Sequence, residues 1–356
     1  MSRFISKKYE SLVPYTPGEQ PKVVGKLIKL NTNENPYAPS PAVVQAVAKA
    51  EEVADLKLYP QPDPTALIEA IADFNGLKAD QVMVGNGSDE VLAFIFMAFQ
   101  NEEAKIVYPE ISYSFYPVYC DTFQANGVPV PLDENFRVVP SDYFNAGGTI
   151  VITNPNAPTG IALTLEEIRS ILDNNRDNVV VIDEAYVDFG AESAVSLIDE
   201  YDNLLVVQTF SKSRSLAGAR VGFAMGASEL IADLNKIKFS FNPYNLNRLS
   251  IIAATEAMND VDYLFETTSM IMSTRERFVT EMKALGFKVL PSMSNFVFVS
   301  SDKISGEEYF TALRKYNIIV RYFKTAKISN FVRITIGTDE DMMALIEATR
   351  EILSGR

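Results

Sequence analysis

The sequence predicts an α/β protein with a mostly parallel sheet, followed by a smaller α+β domain. From about residue 80, short runs rich in β-branched residues alternate with segments of helical periodicity, as in strand–helix–strand units. After about residue 240, long helical segments and a mixture of short strands and helices replace this alternation. The chain has 356 residues, more than one hydrophobic core usually supports, so two domains are expected.

The beginning of the chain is rich in turn-forming residues. This composition predicts an extended arm over residues 1–40 rather than a separate domain. Ser40 and Pro41 then mark the beginning of a helix. The segments with helical periodicity here are PAVVQAVAKAEEV and PTALIEAIADFNGL.

The rest of residues 41–240 predicts the sheet of the large domain. Thr164, followed three residues later by Glu167, is a capping box that begins a helix, and the run VLAFIFMAF predicts a buried helix. Continuous apolar runs are typical of parallel strands that helices cover on both faces. The expected strands are QVMVG, AKIVYP, TIVIT, NVVVID, NLLVVQTF and RVGFAMG.

Residues 241–356 predict the smaller α+β domain. Two long helices are expected first, and a helix closes the chain at DEDMMALIEATREIL. Between them, three segments are expected to be strands, namely KVLPSMSNFVFVSS, IIVRYF and NFVRITIGT. The segment GEEYFTALRKYN, between the first and the second of these, is expected to be a helix.

Composition and charge exclude several classes of protein. The net charge of −14 argues against nucleic acid and anionic membrane surfaces as partners, because basic patches bind both. The chain has no histidine, which removes Ser-His-Asp and Cys-His catalysis and every histidine-ligated metal, so no metal is expected. Proton transfer must therefore fall to Lys, Tyr, Asp or Glu.

The sequence also predicts a cytoplasmic location. MSRFISKKYE lacks the apolar stretch of a signal peptide, and the longest apolar run, Val91 to Phe99, is too short to cross a bilayer. Cys120 is the one cysteine, so no intrachain disulfide can form and a reducing compartment is expected. A packing role is expected for Cys120.

Polar residues follow the carboxyl ends of several predicted strands. In an open α/β sheet, ligands bind beyond these ends. The co-occurrence of such residues therefore predicts one site at that edge. Its candidates are Ser88 and Asp89 after the first strand, Asn154 and Asn156 after TIVIT, Asp183 and Tyr186 after NVVVI, and Ser211 and Lys212 after LLVVQTF.

The turn GNGSDE, Gly85 to Glu90, leads into a helix. Its backbone N–H groups can hold a phosphate at the positive end of the helix dipole. The alternative is a plain turn in which Ser88 or Asp89 caps the helix.

Asp183 and Lys212 each follow an apolar strand. A carboxylate at Asp183 is costly unless it pairs with a cation, and the alternatives are a helix cap or a metal shared with Glu184. Lys212 is either a solvated lysine in a turn or an amine in a partly dry cleft. In such a cleft a lysine loses its charge readily, and the neutral amine attacks carbonyls. Arg220 offers a forked donor that suits phosphate. An aldehyde, a phosphate and a basic ring nitrogen together describe pyridoxal 5′-phosphate.

At these residues the chain resembles the fold type I pyridoxal-phosphate aminotransferases, and more narrowly the histidinol-phosphate aminotransferases. The segments TNPNAPTG, DEAY, SKSRSLAGARVG and VRITIGT carry the resemblance, in the family's order and at its separations. The resemblance extends over essentially the whole chain, and it implies that the arm of residues 1–40 packs against the small domain and a partner subunit. It implies a large domain with a mostly parallel seven-stranded sheet flanked by helices, and a smaller α+β C-terminal domain.

The resemblance implies a role for each cofactor residue. Lys212 forms the Schiff base, Asp183 keeps the pyridine nitrogen protonated, and Tyr186 bonds the ring 3′-oxygen. Tyr113 stacks on the ring. The cofactor phosphate is held by Gly87, Ser88, Asp89, Ser211 and Arg220, with Tyr59 contributed by the partner subunit of a homodimer.

One position departs from the family's pattern. The family usually has Asn directly before Pro-Thr-Gly, in contact with the 3′-oxygen, whereas this chain has Ala157 there. The neighbouring Asn156 is the candidate replacement for that contact.

The resemblance also implies the substrate side of the site. Arg333 matches the arginine that grips the anionic group of the amino substrate. Arg321 and Tyr15 match residues that bind the phosphate of histidinol phosphate, and their alternatives are a surface arginine and an arm anchor. Asn33 matches a residue of the arm that closes over the site.

The implied activity is transamination of L-histidinol phosphate with 2-oxoglutarate, which gives imidazole-acetol phosphate and L-glutamate in histidine biosynthesis. An aromatic or other amino-acid aminotransferase is an alternative, because it shares every cofactor residue. A lyase of the threonine-phosphate decarboxylase type is another. A regulator or scaffold that has lost catalysis is a third, and the complete set of Lys, Asp, Tyr and Arg residues argues against it.

Overall fold

Two β-sheets organise the chain in the computed structural model, which describes residues 4–21, 25–100 and 105–355. Residues 1–3 and 22–24 of the expected arm, and the first residue of the expected strand AKIVYP, lie outside the described residues. The strands, in chain order, are β1 (Ile28–Leu30), β2 (Val82–Gly85), β3 (Lys105–Pro109), β4 (Asn126–Val130), β5 (Gly148–Thr153), β6 (Val180–Asp183), β7 (Leu204–Thr209), β8 (Gly222–Gly226), β9 (Phe287–Val289), β10 (Phe296–Ser301), β11 (Ile318–Tyr322) and β12 (Phe331–Thr335).

Helices surround both sheets. Their bounds are α1 (Pro41–Val47), α2 (Ala50–Ala54), α3 (Thr65–Asn75), α4 (Gly87–Ala98), α5 (Tyr116–Phe123), α6 (Leu165–Asp173), α7 (Ser228–Phe241), α8 (Arg248–Asn259), α9 (Val261–Ala284), α10 (Gly306–Leu313) and α11 (Asp339–Ser354). Within the described ranges, none of them combines the length and the apolar character that crossing a membrane requires.

The larger sheet has seven strands in the order β2-β8-β7-β6-β5-β3-β4. The pairs from β4 across to β7 are parallel, and β8 runs antiparallel to both of its neighbours. The prediction of a mostly parallel seven-stranded sheet is therefore confirmed. The order places β5, β6 and β7 side by side, so the residues after these strands meet at one edge.

Alternation along the central strands explains why their sequences are continuously apolar. Val180 and Ile182 of β6 face one core, which α3, α6 and α8 cover. Val181, between them, faces a second core under α4, α5 and α7, where Cys120 is buried as expected. Side chains point alternately to the two faces of a strand, so a sheet covered on both faces needs an apolar residue at every position.

The smaller sheet has the order β1-β11-β12-β10-β9. Its edge strand β1 comes from the arm and pairs in parallel with β11. Val332 and Ile334 of β12 face the core formed with α9, α10 and α11. Arg333, between them, therefore points to the opposite side of the sheet.

Three local details differ from the expected elements. The segment KVLPSMSNFVFVSS, expected as one strand, forms the two strands β9 and β10. The segment PAVVQAVAKAEEV forms two helices, because Lys49 has an extended backbone between α1 and α2. Helix α4 begins at Gly87, with Asn86 at the N-cap position, so Ser88 and Asp89 lie inside its first turn. The alternative in which either residue caps the helix is therefore wrong. The capping box of Thr164 and Glu167 is present at α6.

Candidate active site

A cavity of about 350 Å³ opens between the two sheets. The edge of the large sheet forms its floor, and the arm and the small sheet form its other side. Most of the candidate residues line it, namely Tyr15, Asn33, Ser88, Asp89, Tyr113, Asp183, Tyr186, Ser211, Lys212, Arg220, Arg321 and Arg333. Residues from more than 300 positions apart in the chain thus meet in one cavity.

Lys212 enters the cavity from the turn after β7. Its Nζ donates a hydrogen bond to the backbone oxygen of Thr32, at 3.2 Å, and lies 5.7 Å from the centre of the Tyr186 ring. The turn behind it is fixed, because Asn35 Nδ2 donates to Ser213 O at 3.1 Å and Ser213 Oγ donates to Asp188. The amine is therefore held at the cavity by a rigid turn.

Asp183 ends β6 at the floor of the cavity, with only 3% of its surface exposed. Burial raises the pKa of its carboxyl to about 6, and hydrogen bonds from Tyr116 Oη and the Ala185 N–H act in the opposite direction. Tyr116 Oη lies 2.8 Å from Asp183 Oδ2. No lysine or arginine forms an ion pair with Asp183 within the described part of the chain. A cationic ring nitrogen would supply that missing charge.

Glu184, the next residue, does not join Asp183 in a metal site. Its carboxylate accepts hydrogen bonds from Ser193 Oγ, Ala194 N and Gln208 Nε2, at 2.6 to 2.9 Å, and it does not line the cavity. The residues that the structure describes contain no cluster of three or more possible metal ligands. The metal alternative for Asp183 therefore has no geometric support.

The beginning of α4 meets Arg220 at one end of the cavity. Arg220 Nη2 lies 2.9 Å from Asp89 Oδ2 and Nη1 lies 3.4 Å from Ser211 Oγ. Gly87 has a φ of +80°, which favours glycine, and a Cβ on it would lie 2.6 Å from Arg220 Nη2, so a larger residue would displace that guanidinium. Free N–H groups at a helix beginning, a hydroxyl and a guanidinium form an anion site.

Aromatic residues form the walls. Tyr113 Oη donates to Asp89 Oδ1 at 2.6 Å, and its ring packs edge-on against Tyr116. On the opposite side, Tyr186 Oη accepts a hydrogen bond of 2.9 Å from Asn33 Nδ2.

Two arginines lie side by side at the small-sheet end of the cavity. Arg321 and Arg333 are directly opposite each other on β11 and β12. They donate to backbone oxygens of the arm, Arg333 Nη2 to Asn31 and Arg321 Nη2 to Thr16. Neither forms an ion pair with a carboxylate of the described residues, and Arg333 Nε is buried without a partner.

The electrostatics of this end favour an anion. Burial lowers the pKa of the Arg333 guanidinium, and the nearby charge of Arg321 lowers it further. A bound carboxylate or phosphate would relieve both effects. Tyr15 stands beside them, with its ring 4.9 Å from Phe115 and 6.4 Å from Tyr113.

Four candidate residues do not line the cavity. Asn154 turns towards the loop before α6, where its Oδ1 accepts a hydrogen bond of 2.7 Å from the Leu163 N–H and its Nδ2 donates to Leu163 O. Gly87 lies behind Arg220, as described. Asn156 faces away, because its Nδ2 donates to Ile111 O and Thr159 Oγ1, so the structure does not support it as a replacement for the contact missing at Ala157. Tyr59 is 80% exposed and stacks on Tyr244, outside the cavity of its own chain.

Sequence reasoning did not find two parts of the site. Tyr116, which holds Asp183, lies in the run SYSFYPVY, where only Tyr113 was a candidate. Its position three residues after Tyr113, on the same side of a helical turn, is the signal that could have found it. Thr32, which binds Lys212 through its backbone oxygen, has no side-chain signal at all.

A lysine and a buried carboxylate face one cavity, at the carboxyl edge of a mostly parallel sheet, and the arm and the smaller sheet lie on the other side of that cavity. This arrangement is that of the fold type I pyridoxal-phosphate enzymes. The sequence pattern of the family Aminotransferase class I and II matches residues 25–348, and the chain belongs to this family.

Individual relatives agree with this assignment. The chain is 51% identical to a histidinol-phosphate aminotransferase of Brachyspira hyodysenteriae, over 99% of both chains, and 53% identical to one of Acinetobacter baumannii, over 98% of this chain and 97% of the relative. The crystal structure of the Sinorhizobium meliloti histidinol-phosphate aminotransferase in complex with pyridoxal-5′-phosphate has the same fold. Its TM-score is 0.87 at 24% identity, over 100% of this chain and 99% of that one.

Proposed function

We propose that the chain transfers the amino group of L-histidinol phosphate to 2-oxoglutarate, giving imidazole-acetol phosphate and L-glutamate, with pyridoxal 5′-phosphate as cofactor. The observation that carries this proposal is the pair Arg321 and Arg333, two arginines without carboxylate partners in the cavity that also holds Lys212 and Asp183. Relatives of about 50% identity over nearly their whole length carry the corresponding name, which supports the same substrate.

The residues of the cavity fit this cofactor. The buried Asp183 lacks a cation, which the ring nitrogen would provide, and the cradle of Gly87, Ser88 and Arg220 suits its phosphate. Asp89 is suited to contribute its backbone N–H, while its carboxylate stays bound to Arg220 and Tyr113. When bound, the cofactor supplies an aldehyde that condenses with amines and a protonated ring that stabilises negative charge at the substrate α-carbon.

Lys212 is the base of the proposed reaction. It is the one lysine that lines the cavity in the described part of the chain, and in a chain without histidine a lysine amine is one of the few groups that can serve as a base. With pyridoxal 5′-phosphate bound, Lys212 Nζ would take the proton from the substrate α-carbon and hold it for return later in the reaction. Asp183, as a carboxylate, would hold a proton on the ring nitrogen of the cofactor. The arm, over the cavity, excludes water from these steps.

Arg333 and Arg321 are proposed to hold the anionic end of each substrate. One half of the reaction brings a phosphate and the other the carboxylates of 2-oxoglutarate, so this end must accept both. Forked donors on adjacent strands suit either anion. Tyr15 is proposed as a neutral donor to the phosphate, because it lies on the arm beside the same end.

An absorption experiment tests the substrate. The purified protein with pyridoxal 5′-phosphate is expected to show a visible band that disappears with L-histidinol phosphate and returns with 2-oxoglutarate. L-histidinol without phosphate should require concentrations about 100-fold higher or more, because it leaves the paired arginines without an anion.

The same experiment separates the other candidate reactions. If phenylalanine or tyrosine discharged the band more efficiently than L-histidinol phosphate, the chain would be an aromatic aminotransferase. Release of carbon dioxide from O-phospho-L-threonine would indicate the decarboxylase. Either result contradicts the proposed substrate.

We also propose that two copies form the active unit and that Tyr59 serves the partner's cofactor phosphate. Tyr59 is exposed, as are Leu56 and Leu58 just before it in the chain and Tyr244, on whose ring it stacks. Its loop is fixed rather than loose, because the buried Lys238 Nζ donates to Pro62 O at 2.9 Å and to Asp63 Oδ1 at 3.1 Å. An exposed, rigidly held aromatic surface is typical of an interface between subunits. A cytoplasmic location stays a prediction.

A mixing experiment tests the contribution of Tyr59. Tyr59→Ala and Lys212→Ala are each expected to be strongly impaired at limiting pyridoxal 5′-phosphate. Each hybrid dimer would contain one site with both residues intact. Unfolding and refolding an equal mixture should therefore restore about a quarter of the wild-type rate. A mixture no more active than the two variants refolded separately would contradict the shared site.

A further inference from the structure

Asn33 is buried in the arm, with 1% of its surface exposed, and every polar group of the residue has a partner. The one hydrogen bond that the Asn33 side chain donates goes to Tyr186, so the contribution of Asn33 to the cavity passes through that residue.

The orientation of the Asn33 amide is fixed by Thr335. The Asn33 backbone N–H donates to Thr335 Oγ1 at 3.0 Å, and Thr335 Oγ1 in turn donates to Asn33 Oδ1 at 3.0 Å. In this arrangement Oδ1 is the acceptor end of the amide, and Nδ2 is the end that donates to Tyr186. Asn295 Nδ2 holds the backbone oxygen of Asn33 at 3.0 Å. Asn33 has a φ of +56°, a conformation that Asn tolerates better than most residues.

The consequence falls on Tyr186. A tyrosine hydroxyl has one hydrogen to donate and can accept hydrogen bonds as well. Asn33 Nδ2, 2.9 Å away, can only donate to it, so the Tyr186 hydrogen must point elsewhere. No acceptor for that hydrogen is found among the described residues, and Tyr186 lines the cavity near Lys212.

We propose that Asn33 is a positioning residue, which turns the Tyr186 hydroxyl into a hydrogen-bond donor directed into the cavity. This inference rests on the proposed function, because the acceptor it serves is the bound pyridoxal 5′-phosphate. Thr335 and Asn295 belong to the small domain, so the direction of the Tyr186 donor depends on the small domain being docked.

An isosteric exchange at Asn33 reverses the direction of the hydrogen bond between residue 33 and Tyr186. Asn33→Asp has the same shape, tolerates the same backbone conformation and keeps an acceptor for Thr335. The oxygen it presents to Tyr186, however, accepts instead of donating. The tyrosine hydrogen would then turn away from the cavity. The apo-protein of Asn33→Asp is expected to bind pyridoxal 5′-phosphate about tenfold more weakly, as measured by titration of the visible band.

A double-mutant cycle separates positioning from a general structural or charge effect. Tyr186→Phe should also weaken binding about tenfold, and Asn33→Asp should change the affinity less than about twofold in the Tyr186→Phe background. Thr335→Val loosens the Asn33 amide without adding a charge, and it should show a smaller effect with the same dependence on Tyr186. Thermal unfolding of each apo-protein records the structural cost separately.

The outcomes distinguish the positioning role of Asn33 from the proposed function. If Asn33→Asp and Thr335→Val weakened binding equally with and without the Tyr186 hydroxyl, the positioning role would be overturned, while the proposed function would stand. If the unmodified protein formed no visible band with pyridoxal 5′-phosphate, the proposed function itself would fail.

Discussion

Lys212→Ala is expected to lower the rate of transamination by at least about 10⁴-fold, because the variant lacks both the amine that binds the aldehyde and the base. Folding should be little affected. Lys212 makes one hydrogen bond to the protein, to Thr32 O, and the rigid turn that carries it is held by other residues. Single-turnover kinetics with L-histidinol phosphate measure the loss, and thermal unfolding of the apo-protein measures the stability.

Lys212→Arg is the matched variant for this experiment. It keeps the positive charge and much of the length, but the guanidinium does not lose its proton. It should be as inactive as Lys212→Ala if the neutral amine is what matters. Substantial turnover in either variant would show that another group abstracts the proton, and the proposed mechanism would be wrong.

Asp183→Asn is expected to lower kcat by about 10²- to 10³-fold, while pyridoxal 5′-phosphate still binds. The neutral amide cannot stabilise a cationic ring nitrogen, and the phosphate contacts at the other end of the cavity remain. Burial raises the pKa of Asp183 to about 6 in the cofactor-free protein. A cation against the carboxylate would lower that pKa, so the loaded enzyme should keep Asp183 ionised at a lower pH than the apo-protein does.

Glu184→Gln is the control for Asp183→Asn. Glu184 is the adjacent carboxylate and equally buried, and burial raises its pKa to about 7, but it points away from the cavity. Its exchange should lower stability through the contacts with Ser193 and Ala194 and leave kcat within a few-fold of the wild type. If both exchanges lowered kcat equally, the effect would come from the fold and not from the charge of Asp183.

The sequence predicted the parts of the fold and the site that depend on local patterns. Continuous apolar runs indicated the central strands, and the Thr164 capping box indicated the beginning of α6. The carboxyl ends of neighbouring parallel strands lie at one edge, so Asp183 and Lys212 could be assigned to one site before any distance was known. Asn156 shows the limit of this reasoning. A residue at the correct edge can still point its side chain to the other side.

By itself, the sequence determined the succession of strands and helices along the chain. It also determined the lysine and the carboxylate of the site, and the family to which the chain belongs. Only the tertiary structure decided which partners these groups have. Arg321 lies opposite Arg333, Asp89 binds Arg220 and Asn33 binds Tyr186 across 153 positions of the chain. The reason is that periodicity and turn chemistry act over a few residues, whereas these contacts form between elements that meet only after both sheets have folded.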